Sequence, residues 1–335
     1  MKKTPKLLIL AGTVLAFLFL FGIIFYNNFI KKSIYEENSQ HLLSTYEQVD
    51  KTFTMFVQHN WNALSDWSNN LQYLDDAENM KTLWYDFARR KDAWQYQDFY
   101  MFNENCDFIT AAGRDGNAPN IQGIFLDMYE TGQPVISSYI ASDSNRRIVF
   151  ALPMDVPYTI NGITYSGLAV SYNNDVVEKL IAGNIYQGQS DCYILTSDGN
   201  VLLSLEPKTE FLQKISNLFD FLNNYTDMTE TEITDLKKNI KNVSTGSLQC
   251  RYNNKNYYLV YEPTGINDWT IVGIIHDDVV DASMRRIQSI TIVLLLILNG
   301  CIALLLTGTV FALMDSRLRM KEHEQMILLK RKELT

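Results

Sequence analysis

Tyr193-Ile-Leu-Thr-Ser-Asp-Gly-Asn-Val-Leu-Leu203 is the stretch that decides the fold class. Two short apolar runs, 192–196 and 200–205, flank Ser197-Asp198-Gly199, and a glycine following an aspartate between two such runs is a hairpin signal. Working downstream, helical segments are expected over 210–222 and 230–239. The second is opened by Thr229 with Glu232 three residues on, the spacing of a capping box. Strands over 246–252, 257–261 and 270–275 close the unit, with Asn253-Asn254 as the turn between the first two. Working upstream, the same plan recurs. Strands over 98–103 and 107–112 surround Glu104-Asn105, and 113–120, rich in Gly, Asn and Asp, reads as a loop. A helical turn over 121–129 follows, then strands over 134–141, 147–153 and 163–172 and a closing helix over 176–182. Two strands, helices and three strands, twice over, predict an α+β fold with two small antiparallel sheets under helical covers. Such a sheet packs one face and leaves the other free to line a pocket.

Ahead of the first sheet lies a long helical pattern. Leu42, Tyr46, Val49, Phe53, Phe56, Ala63 and Trp67 fall at alternating steps of four and three, with Asn60 as the one polar interruption. That spacing draws a single apolar stripe along one helix face. A helix from 33 to 74 would be about 60 Å long at 1.5 Å per residue. The stripe fits a core helix lying along a sheet or, in its earlier part, a stalk pairing two copies, so a homodimer is expected. A second helix is expected over 79–94.

The chain has 335 residues, and two stretches carry no charge at all, 7–30 and 286–314 apart from Arg286 at the edge of the second. A membrane core about 30 Å thick needs about 20 apolar residues in helical form, so both are long enough to span lipid. The first ends in Phe-Tyr-Asn-Asn-Phe-Ile rather than the small residues of a cleavage site, which favours an uncleaved anchor. Three lysines and no acid precede the first run; six Lys/Arg against four Asp/Glu follow the second. Residues 33–284 between them carry 16 Lys/Arg against 34 Asp/Glu. The short basic ends place both termini in the cytoplasm of a plasma-membrane protein and the acidic middle outside. The same acidity excludes nucleic acid as the partner of that middle, since phosphate needs positive charge. Cys106, Cys192 and Cys250 are too few and too scattered for a disulfide scaffold, so the outer region must stand on its own core.

The residues resemble the double Cache sensor family of bacterial receptors, with PAS-like modules. The pieces that carry the resemblance are the Tyr193–Leu203 hairpin and Arg147-Ile-Val-Phe-Ala-Leu-Pro-Met154 with Gly167-Leu-Ala-Val-Ser-Tyr172. The third is the closing Asp268-Trp-Thr-Ile-Val-Gly-Ile-Ile275. The resemblance covers residues 31–285. It implies a cytoplasmic N-terminus over 1–6, a first transmembrane helix over 7–30, and a long helix over 31–75. A membrane-distal module would take 76–182 and a membrane-proximal one 183–285, followed by a second transmembrane helix over 286–314 and a transmission segment over 315–335. It implies that the distal module holds a small ligand. Amino-acid sensors of the family carry an Arg-x-Trp-Tyr run and a later Asp; here the corresponding places read Trp94-Gln-Tyr96 without the Arg, and Tyr172. Those roles are therefore not carried over. The layout also resembles input regions of diguanylate cyclases and histidine kinases, whose output domain would lie beyond Thr335 or on a partner.

Catalytic chemistry is not expected. The four histidines show no metal-binding spacing, and no nucleophile elbow or phosphate-binding loop occurs, so neither a metal nor a cofactor is expected. Asp75-Asp76 and Asp277-Asp278 read as solvated helix ends. Tyrosines offer an apolar wall with a polar tip, which suits a small-molecule pocket. Tyr100, Tyr139, Tyr165 and Tyr172 fall on strands of the first module and, with Trp94, are the candidate pocket lining. Arg147 opens an otherwise apolar strand, which fits either an anionic ligand or a strand-edge charge in water. Two functions follow. One is a receptor in membrane lipid that binds an extracellular small molecule and signals inward. The other is a structural or accessory envelope protein whose outer region binds another protein.

Overall fold

The computed structural model describes residues 4–71, 73, 77–118, 122–141, 145–182, 185, 189–204 and 215–333. It divides into two compact units: Tyr35–Val280, and the two ends, Met1–Ile34 with Asp281–Thr335.

In Tyr35–Val280 the architecture is α+β, with a long helix and two antiparallel sheets. Helix α1 (Thr4–Leu71) is followed by α2 (Ala77–Trp94). The first sheet takes β1 (Asp98–Phe102), β2 (Asp107–Thr110), β3 (Asp115–Asn117), β4 (Val135–Ile140), β5 (Arg146–Ile160) and β6 (Ile163–Asn173). Helix α3 (Gln122–Thr131) lies between β3 and β4, and α4 (Asn174–Ala182) follows β6. The second sheet takes β7 (Ser190–Leu195), β8 (Val201–Ser204), β9 (Gly246–Tyr252), β10 (Lys255–Pro263) and β11 (Thr270–His276), with α5 (Leu218–Tyr225) and α6 (Glu230–Lys241) between β8 and β9. The strand orders are β3-β2-β1-β6-β5-β4 and β8-β7-β11-β10-β9. In both, the first hairpin opens the sheet and the last strand returns beside it.

Helix α1 serves both sheets. Leu42, Tyr46, Val49, Phe53, Val57, Asn60, Leu64, Trp67 and Leu71 are buried along one face, the periodic stripe of an amphipathic helix. Val57 and Leu64 take the central places expected for Phe56 and Ala63, because 3.6 residues per turn drifts from a strict 3.5 repeat. Tyr35 stacks on Tyr258 and Phe53 on Trp269 of the second sheet side. Phe56 meets Phe150 and Tyr172, and Trp67 meets Phe99, on the first. One contiguous core runs beneath the helix across both sheets. Of the two readings of the stripe, this part of α1 is a core helix.

Three local expectations are corrected. Within 113–120, β3 adds a short edge strand, because Gly113 at φ +72 turns the chain back and Thr110 N–H bonds the Arg114 carbonyl. Strand β5 continues past Pro153 to Ile160, where Asn161-Gly162, both at positive φ, close a two-residue hairpin. Its register breaks between Pro153 and Tyr158, as a missing N–H requires. The helix expected from 210 begins at Leu218, where the Asn217 side chain caps it by accepting from the N–H groups of Phe219 and Asp220. Residues 205–214 are outside the described set. The capping box of Thr229 and Glu232 is formed, and Asn253-Asn254 turn with φ 47 and 61. Cys106, Cys192 and Cys250 are free thiols and buried.

The sheets are joined by polar side chains reaching from one to the other. Arg146 Nη1 donates to the carbonyls of Val201 (2.6 Å) and Leu202 (3.2 Å) on edge strand β8. Asn174 Nδ2 donates to the Ser204 carbonyl (2.6 Å), and Asn267 Nδ2 to that of Ile136 (3.1 Å). An exposed sheet edge is a template for unwanted pairing, and these donors occupy it.

Between α1 and the second sheet sits an acidic seam. Burial pushes the Glu262 carboxyl up to about 7, and Asp50 and Glu47 on α1 push it further the same way. A carboxyl whose folded pKa lies above its unfolded one costs stability as pH rises from about 4.5 through 7. Glu262→Gln is therefore expected to raise the melting temperature at pH 8, by the equivalent of about 1 kcal/mol after allowing for partial exposure, and to change nothing at pH 4.5. Melting both proteins at the two pH values checks it; an equal effect at both would be the wrong result.

In the other unit, α7 (Asp277–Glu333) contains Ser289–Ile327, which among the described residues is the one helix long and apolar enough to cross a membrane. The earlier run, 7–30, is helical within α1, but most of its side chains lie outside the described residues. Asp75 and Asp76 do too.

Candidate functional site

The first sheet presents two faces, assigned by its register. Phe99 and Met101 on β1, Val170 and Tyr172 on β6, and Ile148 and Phe150 on β5 point to α1. On the opposite face Asp98 stands across from Ser171 and then Val149, Tyr100 across from Ala169 and Ala151, and Arg147 between Asn173 and Tyr139. Thr110 on β2 stands beyond Tyr100 on the same face.

This second face is closed at one end by α3. Phe125 stacks on Phe102 at 3.7 Å, and the Tyr129 hydroxyl shares a hydrogen bond with Ser166 (3.0 Å) and donates to the Phe102 carbonyl. The close approach is possible because residue 167 is glycine: a Cβ there would lie 2.5 Å from the Phe102 ring. The other end is polar. Asp98 Oδ2 lies 3.4 Å from Arg147 Nη1, and Asp98 Oδ1 lies 3.1 Å from Arg114 Nη2 and 4.0 Å from Lys91 Nζ. Asn173 Nδ2 donates to Gln97 Oε1 at 2.9 Å.

Among these groups two hydroxyls are buried without a well-formed hydrogen bond. Tyr100, 5% exposed, faces Ser171 and Tyr139 but bonds neither with good geometry, and Ser171, 0% exposed, is in the same state. Burial, first of all, pushes the Tyr100 hydroxyl well above its usual range, with Tyr139 and Asp98 adding to it. It is a neutral donor at every physiological pH. A buried polar atom without a partner costs about 1–3 kcal/mol, so this face holds polar groups that the chain itself satisfies poorly.

Of the six residues singled out in the sequence, the structure gathers Tyr100, Tyr139 and Arg147 here. Tyr172 goes to the other face, where its hydroxyl donates to Asn60 Oδ1 at 2.8 Å and its ring packs on Phe56, Tyr96 and Phe150. Tyr165 lies beside the break in the β5–β6 register and joins the core beneath α1. Trp94, 38% exposed, ends α2 stacked on His59 at 4.2 Å. Asp98, Lys91, Arg114, Ser171 and Asn173 were not foreseen. Asp98 was legible as the residue two before Tyr100 on the same strand; the others depend on long-range pairing.

The matching face of the second sheet is built differently. Tyr193, Leu195, Leu259, Tyr261, Val272 and Ile274 are sealed beneath Leu218, Phe219, Leu222, Ile233, Leu236 and Ile240 of α5 and α6. An open groove of about 540 Å³ lies outside that seal, beside Lys237, Lys238 and Lys241. At the start of α7, His276, Asp277 and Asp278 bring an imidazole nitrogen and two carboxylates within 4.8 Å of one another. The ring nitrogen accepts from the Asp278 N–H at 3.0 Å and the acids occupy the first helical turn, a helix-start arrangement.

No family model and no curated protein matches the sequence. Solved structures do. The sensory domain of the Campylobacter jejuni chemoreceptor Tlp3 with isoleucine bound is 12% identical with a TM-score of 0.51, covering 76% of this chain and 98% of that one. The ligand-binding domain of the Pseudomonas aeruginosa amino-acid chemoreceptor PctB with L-Arg is 14% identical with a TM-score of 0.54, covering 75% and 92%. The extracellular domain of mmHK1S-Z3, assigned as a histidine kinase, is 13% identical with a TM-score of 0.50, covering 72% and 98%. The fold is that of Cache-type extracytoplasmic sensory domains.

Proposed function

We propose that this chain is the sensory region of a membrane receptor. Its first module, 76–182, binds an extracellular small molecule on the sheet face turned away from α1. The observation that carries this reading is the pair of buried Tyr100 and Ser171 hydroxyls, facing one another without a well-formed hydrogen bond beside the Asp98–Arg147 pair, where the matching face of the second module, 183–285, is covered by apolar helix side chains. The fold supports it, since the solved neighbours are sensory domains rather than enzymes. The occupied conformation is passed to a cytoplasmic output domain or partner by the preference of the ligand for one of two states.

A ligand that binds the folded form alone adds RT ln(1 + [L]/Kd), about 2.7 kcal/mol at a hundredfold excess over Kd. The full chain in detergent is screened by thermal shift against amino acids, organic acids, purines and sugars. At least one compound is expected to raise the melting temperature, and Tyr100→Phe and Ser171→Ala are each expected to weaken it severalfold. A compound that both variants bind as well as the parent would place the site elsewhere.

In this reading the chain spans the plasma membrane twice, over 7–30 and 286–314, with 1–6 and 315–335 cytoplasmic, and pairs as a homodimer. The support is the two uncharged runs and the lysine bias. A membrane-impermeant thiol reagent on intact cells is expected to label Glu104→Cys and to miss Glu322→Cys; the reverse pattern would sink the topology.

A further inference from the structure

Helix α1 is clamped to the second sheet at two points. The ring of Tyr46 lies on the backbone of Gly273, where no Cβ would fit, and Phe53 stacks on Trp269 with ring centroids 6.3 Å apart. Both side chains are fully buried, so the helix between them cannot slide or lift without opening the core. Between the clamps stand Glu47 and Asp50, and Glu262 of β10 lies within electrostatic reach of both. Three carboxyls thus meet at a contact whose spacing is fixed from either side.

Besides its own burial, the groups acting on Glu262 are those two acids. The other groups around it, among the described residues, are engaged or uncharged. Lys51 bonds Glu47 at 2.7 Å from the solvent side, with its own side chain 59% exposed, and Thr54 bonds Asp50. Ile271 stands across from Glu262 on β11, and β9 ends beside Tyr261 at Gly246. In the turn after β10 the charged residue is Asp268, which accepts from the Ser197 hydroxyl at 2.6 Å. Residues 205–214, outside the described set, leave from Ser204 and return by Ser216 at β8, three strands from β10. Glu262 itself is half-buried: enclosed enough for its charge to be penalised, open enough to exchange protons with solvent.

We propose that this seam reads protons. With Glu262 protonated, α1 seats on β10 and β11; with Glu262 ionised, three like charges loosen the same stretch of helix, and ambient pH becomes a second input to the receptor. Like charges held close repel, more strongly where water is partly excluded, and the clamps leave them no way to separate except by shifting the helix. The device works without any ligand on the first sheet and stands whether or not that face binds one. On the topology proposed above, the protons are those outside the cell. A carboxyl raised on folding gives up stability as pH rises from about 4.5 through about 7, so the seat is firmest on the acid side of that window.

Amide hydrogen exchange of the full chain in detergent tests this, with parent and Glu262→Gln compared at the same pH so that intrinsic exchange chemistry cancels. The readout is the parent-to-variant ratio of rates in the α1 peptide 43–56. The same ratio is taken in α6, which covers the other face of the second sheet. In α1 the ratio is expected to be close to one at pH 4.5, to climb severalfold, and to level off above about pH 7. In α6 it is expected to stay smaller throughout. Asp50→Asn is expected to slow exchange of the α1 peptide at pH 8 and to add little once Glu262→Gln is in place. A ratio in α1 that is the same at every pH, or that never leaves unity, overturns the proposal. An equal ratio in α6 overturns it too, because the carboxyl then acts on stability at large and not on the seat of the helix. Should Glu262→Gln fail to accumulate, Asp50→Asn carries the test: no slowing of the α1 peptide at pH 8 overturns the cluster.

Discussion

Gly273→Ala is expected to destabilise the chain by about 3 kcal/mol or more. Gly273 lies in the middle of β11, opposite Val260 and Cys192, and the ring of Tyr46 from α1 lies directly on its Cα. A Cβ at 273 would overlap Tyr46 Cζ, its hydroxyl oxygen and Cε1. Tyr46 is fully buried and cannot swing away without opening the core, so the added atom must push helix from sheet. Removing the ring by Tyr46→Ala is expected to cost about 3–5 kcal/mol on its own. The two changes relieve each other, because the methyl then sits in the space the ring left. Denaturant unfolding of the parent, both single variants and the double variant should give a coupling of about 1–3 kcal/mol in the direction of relief. Strict additivity would mean that helix and strand do not meet as described.

The second large effect is expected where α1 crosses the first sheet. Asn60 is fully buried and uses both ends of its amide: Nδ2 donates to the Phe56 carbonyl and Oδ1 accepts from Tyr172, each at 2.8 Å. Burial drives the Tyr172 hydroxyl far above its normal range, with Tyr96 adding to the shift, so it remains a neutral donor. Tyr172→Phe strands the amide oxygen and Asn60→Ala strands the hydroxyl, and each is expected to cost about 2 kcal/mol. The double variant is expected to cost clearly less than the sum, since removing both partners leaves neither orphaned. A sum that is simply additive would show that the bond does not hold helix to sheet.

What the sequence revealed tracks how local each signal is. The stripe on α1, the Ser197-Asp198-Gly199 and Asn253-Asn254 turns and the Thr229–Glu232 cap are all written within a few residues, and all stand in the structure. The end of β5 was hidden because Pro153 and Pro157 break the alternating pattern, while the pairing that continues it depends on Asn161-Gly162 folding 158–160 back on 163–165. The start of α5 was hidden by an apolar run that the Asn217 cap overrides. At the site, Tyr100, Tyr139 and Arg147 were legible as polar tips on apolar strands. Their separation from Tyr172 was not, because β6 is apolar on both faces over 168–170 and nothing in its composition says which face meets α1. Ser171 and Asn173 became visible through the pairings Asp98↔Ser171 and Arg147↔Asn173. A slip of one residue in either would have exchanged the faces.

The polar joints between the sheets acquire their meaning from where they start. Arg147 and Asn173 are the last paired residues of β5 and β6 at the candidate site, and the residues adjoining them, Arg146 on β5 and Asn174 at the start of α4, hold the edge strand β8 of the other sheet. Site and joint are thus separated by a single planar peptide unit on each side. A backbone shift at Arg147 is therefore passed to Arg146, which holds the β8 carbonyls. Were a ligand of the first module to shift that backbone, a pull on β8 from the second module would change its affinity by the same free energy. The edge of one sheet would then be a handle on the other.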